Sequence, residues 1–342
     1  MKIKRGYRHI LVIAMIILFA AVMVAALLFG ATYIPPKDVY HAIANRISPQ
    51  WIVPEKVDTI VWRIRIPRVL LGALVGLLLA ISGTILQGVL RNPLADPYIL
   101  GVSAGGGIGS AIAIIFGGGV TLIGMGLIPL LAFLFALAAV LIVYRLSHVA
   151  GRTSPETLIL AGVAVSAFAA AILALLIILS GELQSIFFWL LGSLANASWN
   201  NVFVLFPYAL IGIFVAYFYS KDLNAMLLSE DLARTLGIDV NKTRRLLLVV
   251  ASLMAAAAVS VSGLIGFIGL IIPHFVRLTV GPNYRLLVPL AGISGMIFMV
   301  VADAIARTIL SPMEIPIGII MALVGAPFFL YILRRRRTRG RS

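Results

Sequence analysis

Asp303 and Arg307 stand four residues apart in an otherwise apolar stretch, and they are the residues best placed to do chemistry inside a membrane. An acid there supports one of two readings. It titrates as part of a proton path, or it pairs with the arginine one turn on, in the favourable acid-before-base order. One acid near a helix end, with a partner in reach, favours the ion pair. The four histidines, His9, His41, His148 and His274, are scattered and show no metal-ligand spacing. No Ser-His-Asp or paired-carboxylate arrangement is visible. The absence of cysteine excludes disulfides, thiolate nucleophiles and cysteine metal sites. These residues argue against an enzyme and leave no metal site. A carrier driven by an ion gradient rests on Asp303 alone.

The elements that hold these residues follow from composition. Of 342 residues 62% are hydrophobic and 11% charged, against roughly 25% charged in a soluble domain. A spanning helix needs about 20 mostly apolar residues. The chain offers ten such runs, at 10–31, 69–90, 98–116, 122–146, 157–180, 202–219, 246–262, 264–276, 287–304 and 315–333. The first is too long for a signal-peptide core and lacks a small-x-small cleavage site, so it reads as an uncleaved span. Residues 39–47 suit a short surface helix. Residues 182–197 suit an interfacial one, with Trp189 as its aromatic anchor. No Gly/Ser linker marks a second unit. The reading is one all-α integral-membrane domain over 1–342, with 221–245 as its largest polar loop.

Ten spans put both termini on one side. That side carries 20 of the 27 Lys and Arg residues and the other side 7, so the termini are expected to be cytoplasmic. The same distribution accounts for the net charge of +15 without nucleic acid. Prolines at 93, 97, 129, 207, 273, 316 and 327 fit either helix ends or the broken backbone that lines a transport path.

Gly101, Gly105 and Gly109 recur every four residues, the spacing that lets two helices approach closely in lipid. The run at 105–107 lacks the Lys-Ser/Thr ending of a phosphate loop. In the polar loop, Ser229 suits an N-cap, Glu230 and Asp231 the first turn, Arg234 the last, and Gly237 the stop. Leu232 and Leu236 share one face of this short helix. Two turns are marginal alone, so it must dock, on this protein's own helices or on a cytosolic partner. Arg65, Arg68 and Arg307 fall on the side the charge bias disfavours. They suit snorkelling anchors or a docking patch for an acidic partner.

Taken together, RIPRVL (65–70), RNPLADPYILGVSAG (91–105), GLIGFIGLIIPHFVRL (263–278), ADAIAR (302–307) and EIPIGIIMALVGAPFF (314–329) resemble the FecCD-type permeases. These are membrane subunits of ABC importers for iron–siderophores, haem and vitamin B12. The resemblance implies the ten-helix fold of the vitamin B12 importer permease, working as a homodimer in the cytoplasmic membrane. It implies two cytosolic ATPases that use ATP and Mg, an extracytoplasmic binding protein, and no cofactor on this chain. It assigns binding-protein docking to Arg65, Arg68 and Arg307. Cytoplasmic gates fall on Asn92, Pro93 and Leu94 and on Thr153 and Ser154. The ATPase coupling helix falls on Glu230, Leu232, Ala233, Arg234, Leu236 and Gly237. The expected cargo is an iron(III)–siderophore first, with cobalamin second and haem or an oxyanion after. The arginine-rich tail after residue 333 reads as an anchor to anionic lipid.

Overall fold

Long apolar runs in lipid leave the backbone one local solution, because every N–H and C=O must bond within its own segment. A computed structural model describes residues 5–30, 32–117, 121–122, 125–149 and 152–339. Its helices begin with α1 (Arg5–Leu28), α2 (Pro36–Ala44) and α3 (Glu55–Thr59). The last runs through a π-helical stretch (Ile60–Arg65) into α4 (Ile66–Val89). A 3-10 turn (Pro97–Leu100) leads to α5 (Val102–Gly117). The two-residue strands β1 (Thr121–Leu122) and β2 (Met125–Gly126) precede α6 (Leu127–Ser147). A second such pair, β3 (His148–Val149) and β4 (Arg152–Thr153), precedes α7 (Pro155–Ser180). Both pairs are antiparallel, with Thr121 opposite Gly126 and His148 opposite Thr153. Then come α8 (Leu183–Leu190), α9 (Trp199–Phe218), α10 (Ser220–Leu228) and α11 (Glu230–Thr235). The chain closes with α12 (Val240–Ser262), α13 (Ile268–Val280), α14 (Tyr284–Ala306) and α15 (Ile317–Arg339).

Seven helical segments are long and apolar enough to cross a bilayer, and the shorter apolar helices in α5, α13 and α15 bring the described spans to the expected ten. α1 starts and α15 ends on one face, the terminal face. α4 is the hub, with 89% of its most apolar window buried against 6% for α1 and 11% for α7. It packs on α14, α12, α9 and α13. Glycines permit this. A Cβ on Gly76 would strike the Gly295 carbonyl of α14, and one on Gly83 would strike the Gly269 carbonyl of α13. Gly105 and Gly109 sit likewise against the Phe135 and Leu131 carbonyls of α6. Gly101 has a different task, closing the 3-10 turn in the left-handed region at φ 81°.

Several boundaries differ from the sequence reading, two of them informatively. The second span is expected to begin near residue 69. It is helical from Glu55, because Arg65 and Arg68 find buried partners. Pro67 has no N–H for the carbonyl four residues back, and the ladder widens to π geometry just before it. Between α12 and α13 the backbone leaves the helix at Gly263, φ 67°. Its neighbours in the irregular backbone bond to one another. Ser193 N donates to Ser262 O at 2.8 Å, Ile317 N to Gly192 O at 2.9 Å, and Gly318 N to Leu191 O at 3.0 Å. The Tyr98 hydroxyl donates to Ile265 O and accepts from Ile265 N, both at 2.9 Å. Of the prolines, 207, 273, 289 and 327 lie inside helices, while 97 and 316 stand at element starts.

Candidate functional site

The three arginines expected at the outer surface do come together, opposite the terminal face, but their residues are buried, 3–6% exposed. Arg68, one turn into α4, is clamped by Asp303 of α14. Its Nε donates to Oδ1 at 3.0 Å and its Nη2 to Oδ1 at 2.9 Å. Its Nη1 donates to Glu314 at 2.8 Å, just before α15. Arg307 approaches Asp303 at 3.4 Å and donates to Ala26 O of α1 at 2.7 Å. Arg65 donates to the Leu27, Leu28 and Thr32 carbonyls. Coming together is what a docking patch requires. Burial is not, and its cause is the two carboxylates and the free carbonyls that end α1. Asp303 is thus an ion-pair member with two arginine partners, one of them far away in sequence.

The second cluster lies on the terminal face. Ser229 caps α11, its hydroxyl accepting from Leu232 N at 2.9 Å. That places Glu230 in the first turn. Its carboxylate accepts from Arg244 of α12. It also faces Arg91 at 3.5 Å and Arg234 at 3.7 Å. Ala233 is buried beneath the helix, while Leu232 and Leu236 point out, 41% and 64% exposed. Gly237 ends it at φ 80°.

Arg91 opens the turn that carries Asn92, Pro93 and Leu94, and holds a left-handed φ of 48°. The Asn92 side chain accepts from Leu94 N at 3.0 Å. Pro93 and Leu94 pack beside Leu270, Ile271 and His274 of α13 and Phe329 of α15. Asp96 accepts from Tyr98 N at 2.9 Å. Desolvation pushes its carboxyl up to about 6, against the lowering effect of that bond. The other expected gate belongs to the next hairpin. Ser154 caps α7, accepting from Thr157 N at 3.2 Å. Thr153 stands in β4, and its side chain lies outside the described residues, as do those of the arginine tail.

Away from the terminal face, a cavity of about 780 Å³ opens where α8, the α8–α9 loop, the end of α12 and the start of α15 meet. Its polar lining is neutral hydroxyls and amides, including Ser185, Asn196, Ser198, Asn201 and Ser262, with Trp189 among the apolar residues. Glu314 is the one charged residue of the described lining. Its carboxylate therefore joins the cavity to the buried arginine cluster.

Residues 16–335 match the model of the FecCD transport family. The chain belongs to that family. It is 47% identical to the cobalamin import system permease protein BtuC of Halobacterium salinarum, over 87% of this chain and 79% of the relative. It is 36% identical to the iron(3+)-hydroxamate import system permease protein FhuB of Bacillus subtilis, over 90% and 78%. An inward-facing structure assigned to the metal-chelate type of ABC transporter superimposes with a TM-score of 0.82 at 32% identity, covering 95% of this chain and 99% of that one. FecCD membership makes the protein a multi-pass permease of the ABC-importer type.

Sequence reasoning missed three parts of this FecCD permease. Glu314 was read only as the head of a motif, and nothing in its position points to Arg68. Arg91 and Arg244 were counted as loop charges, and nothing in their spacing points to Glu230. The glycines 76, 83, 269 and 295 that set the hub were also passed over. The four-residue spacing of Gly72 and Gly76 carried the same signal as 101, 105 and 109.

Proposed function

We propose that this permease imports a corrinoid, working as two copies with two cytosolic ATPases and an extracytoplasmic binding protein. The observation that carries the cargo is the 47% identity to a cobalamin permease across most of the chain, against 36% for the hydroxamate relative. The cavity lining supports it. A corrinoid is rimmed with carboxamides, and neutral hydroxyl and amide groups can bond these without a charged partner. The chain itself does no chemistry. Mg and ATP act on the ATPases, and α11 couples them to transport through its exposed Leu232 and Leu236. The terminal face, with its excess of arginine, is cytoplasmic, and the protein lies in the cytoplasmic membrane.

The second reading is a ferric chelate, favoured by the hydroxamate relative and the metal-chelate-type neighbour. Uptake of labelled cobalamin and of labelled ferric hydroxamate, by cells with and without this chain, separates the two. Loss of cobalamin uptake alone is expected. Loss of iron uptake alone would transfer the assignment. Uptake blocked by an uncoupler but insensitive to vanadate would replace the ATP-driven machine with an ion-driven carrier.

Docking by Arg65, Arg68 and Arg307 requires acidic groups of the binding protein to compete with Asp303 and Glu314. Glu314→Gln releases one side of Arg68. It is expected to tighten binding-protein affinity severalfold at low salt. Unchanged or weaker affinity would remove Arg68 from the docking role.

A further inference from the structure

The geometry points to Glu230 as the positioning residue that hands movement of α11 to the 92–94 turn expected to gate the path. The inference rests on the reading of α11 as the ATPase-coupling helix, and adds the route by which that coupling travels.

The apolar cluster under α11 comprises Ala225, Met226, Ala233 and Val240, with Ile238 against it. All belong to α10, α11 or the entry to α12, and none to the 91–95 turn. The contact from α11 to that turn is the Glu230–Arg91 ion pair. From Arg91 the path is stiff. The residue holds an uncommon left-handed backbone, and the Asn92 side chain bonds Leu94 N two residues on. A shift of Arg91 therefore carries to Leu94 without being absorbed by a loose loop.

The same carboxylate holds Arg244. Glu230 thus joins α11 to the gate turn through Arg91 and to α12 through Arg244. Its third partner, Arg234, shares its helix and moves with it. The site suits a moving link for two reasons. The carboxylate is 29% exposed and Arg91 is 34% exposed, so water eases the breaking and remaking of the pair. Three guanidiniums compete for one carboxylate, so alternative pairings are available as α11 tilts.

The test uses the full permease with its ATPase in liposomes. The chain lacks cysteine, so Ala95→Cys, at a fully buried position in the gate turn, gives one reporter thiol. Labelling by a membrane-impermeant maleimide is compared without nucleotide and with ATP plus vanadate, beside ATP hydrolysis and cargo uptake. Glu230→Gln is added to that background. It should lose the nucleotide-dependent change in labelling and lower uptake about tenfold. Arg91→Gln should abolish the labelling change with Arg244 still paired, and it decides the matter if the Glu230 variant fails to assemble. Full labelling response and uptake in these variants would overturn the role of Glu230 and leave the coupling reading standing. No nucleotide response in the reporter chain itself would overturn both.

Discussion

Two clusters of three arginines divide the charge chemistry of this protein, and they are built in opposite ways. Away from the terminal face, Arg65, Arg68 and Arg307 meet two carboxylates and several carbonyls. The residues on which the cluster centres are nearly sealed from water, with the Arg68 and Asp303 side chains 7% and 2% exposed. On the terminal face, Arg91, Arg234 and Arg244 share one carboxylate that is 29% exposed; Arg234 is half exposed, and only Arg244 is buried, at 7%. The first cluster fastens α1, α4, α14 and the entry to α15. The second joins a small surface helix to the ends of two spans. Burial is the difference that matters. A sealed ion pair cannot lose a partner without stranding a charge in low dielectric, so it resists motion. A wetted one re-pairs at little cost. Both faces carry arginine, but one uses it as a rivet and the other as a hinge pin.

The strongest test of that contrast is Asp303→Asn, which leaves Arg68 and Arg307 buried with their shared charge partner gone. A loss of about 3–5 kcal/mol is expected, read as a fall in the unfolding temperature of the purified permease. The corresponding loss for Glu230→Gln should be smaller, because the carboxylate and two of its three partners are wetted and only Arg244 is buried. Equal losses would break the comparison. Next in size is the joint change Leu232→Asp and Leu236→Asp. It should cut ATPase copurification at least tenfold while leaving the permease's own melting unchanged, because both side chains already face out. Retained ATPase would remove the docking role of α11.

Asp96 separates burial from pairing. Its desolvated carboxyl titrates near 6 in the fold, against about 3.9 in the open chain. The folded state therefore holds the proton more tightly. Its stability contribution is greatest below pH 4 and is lost as the pH rises towards 6. Asparagine keeps an oxygen for Tyr98 N and carries no charge. Asp96→Asn should raise stability by roughly 2 kcal/mol at pH 7.5 and by almost nothing at pH 4. A loss at neutral pH would assign the carboxylate a positive charge partner that the fold does not display.

Much of this was legible in the residues. The ten spans follow from apolar length, because lipid admits one backbone solution. The boundaries of α11 follow from Ser229 and Gly237, since capping is local chemistry. Helix 2 was legible only from residue 69, because an arginine in the sequence carries no sign of its partner. The pairing of Asp303 with Arg307 was visible for the converse reason: the partner lies one turn away on the same helix.

By itself, then, the sequence determined the number of membrane helices, the division of basic charge between two faces, the short capped helix and the family motifs. Each depends on interactions within a turn or two, or on partition between water and lipid. Tertiary structure alone decided that Arg68 spends its charge on Asp303 and Glu314, that Glu230 meets Arg91, and that Gly76 meets Gly295. Those contacts join residues tens to hundreds of positions apart, and only the packing of α4 at the centre of the bundle brings them within reach.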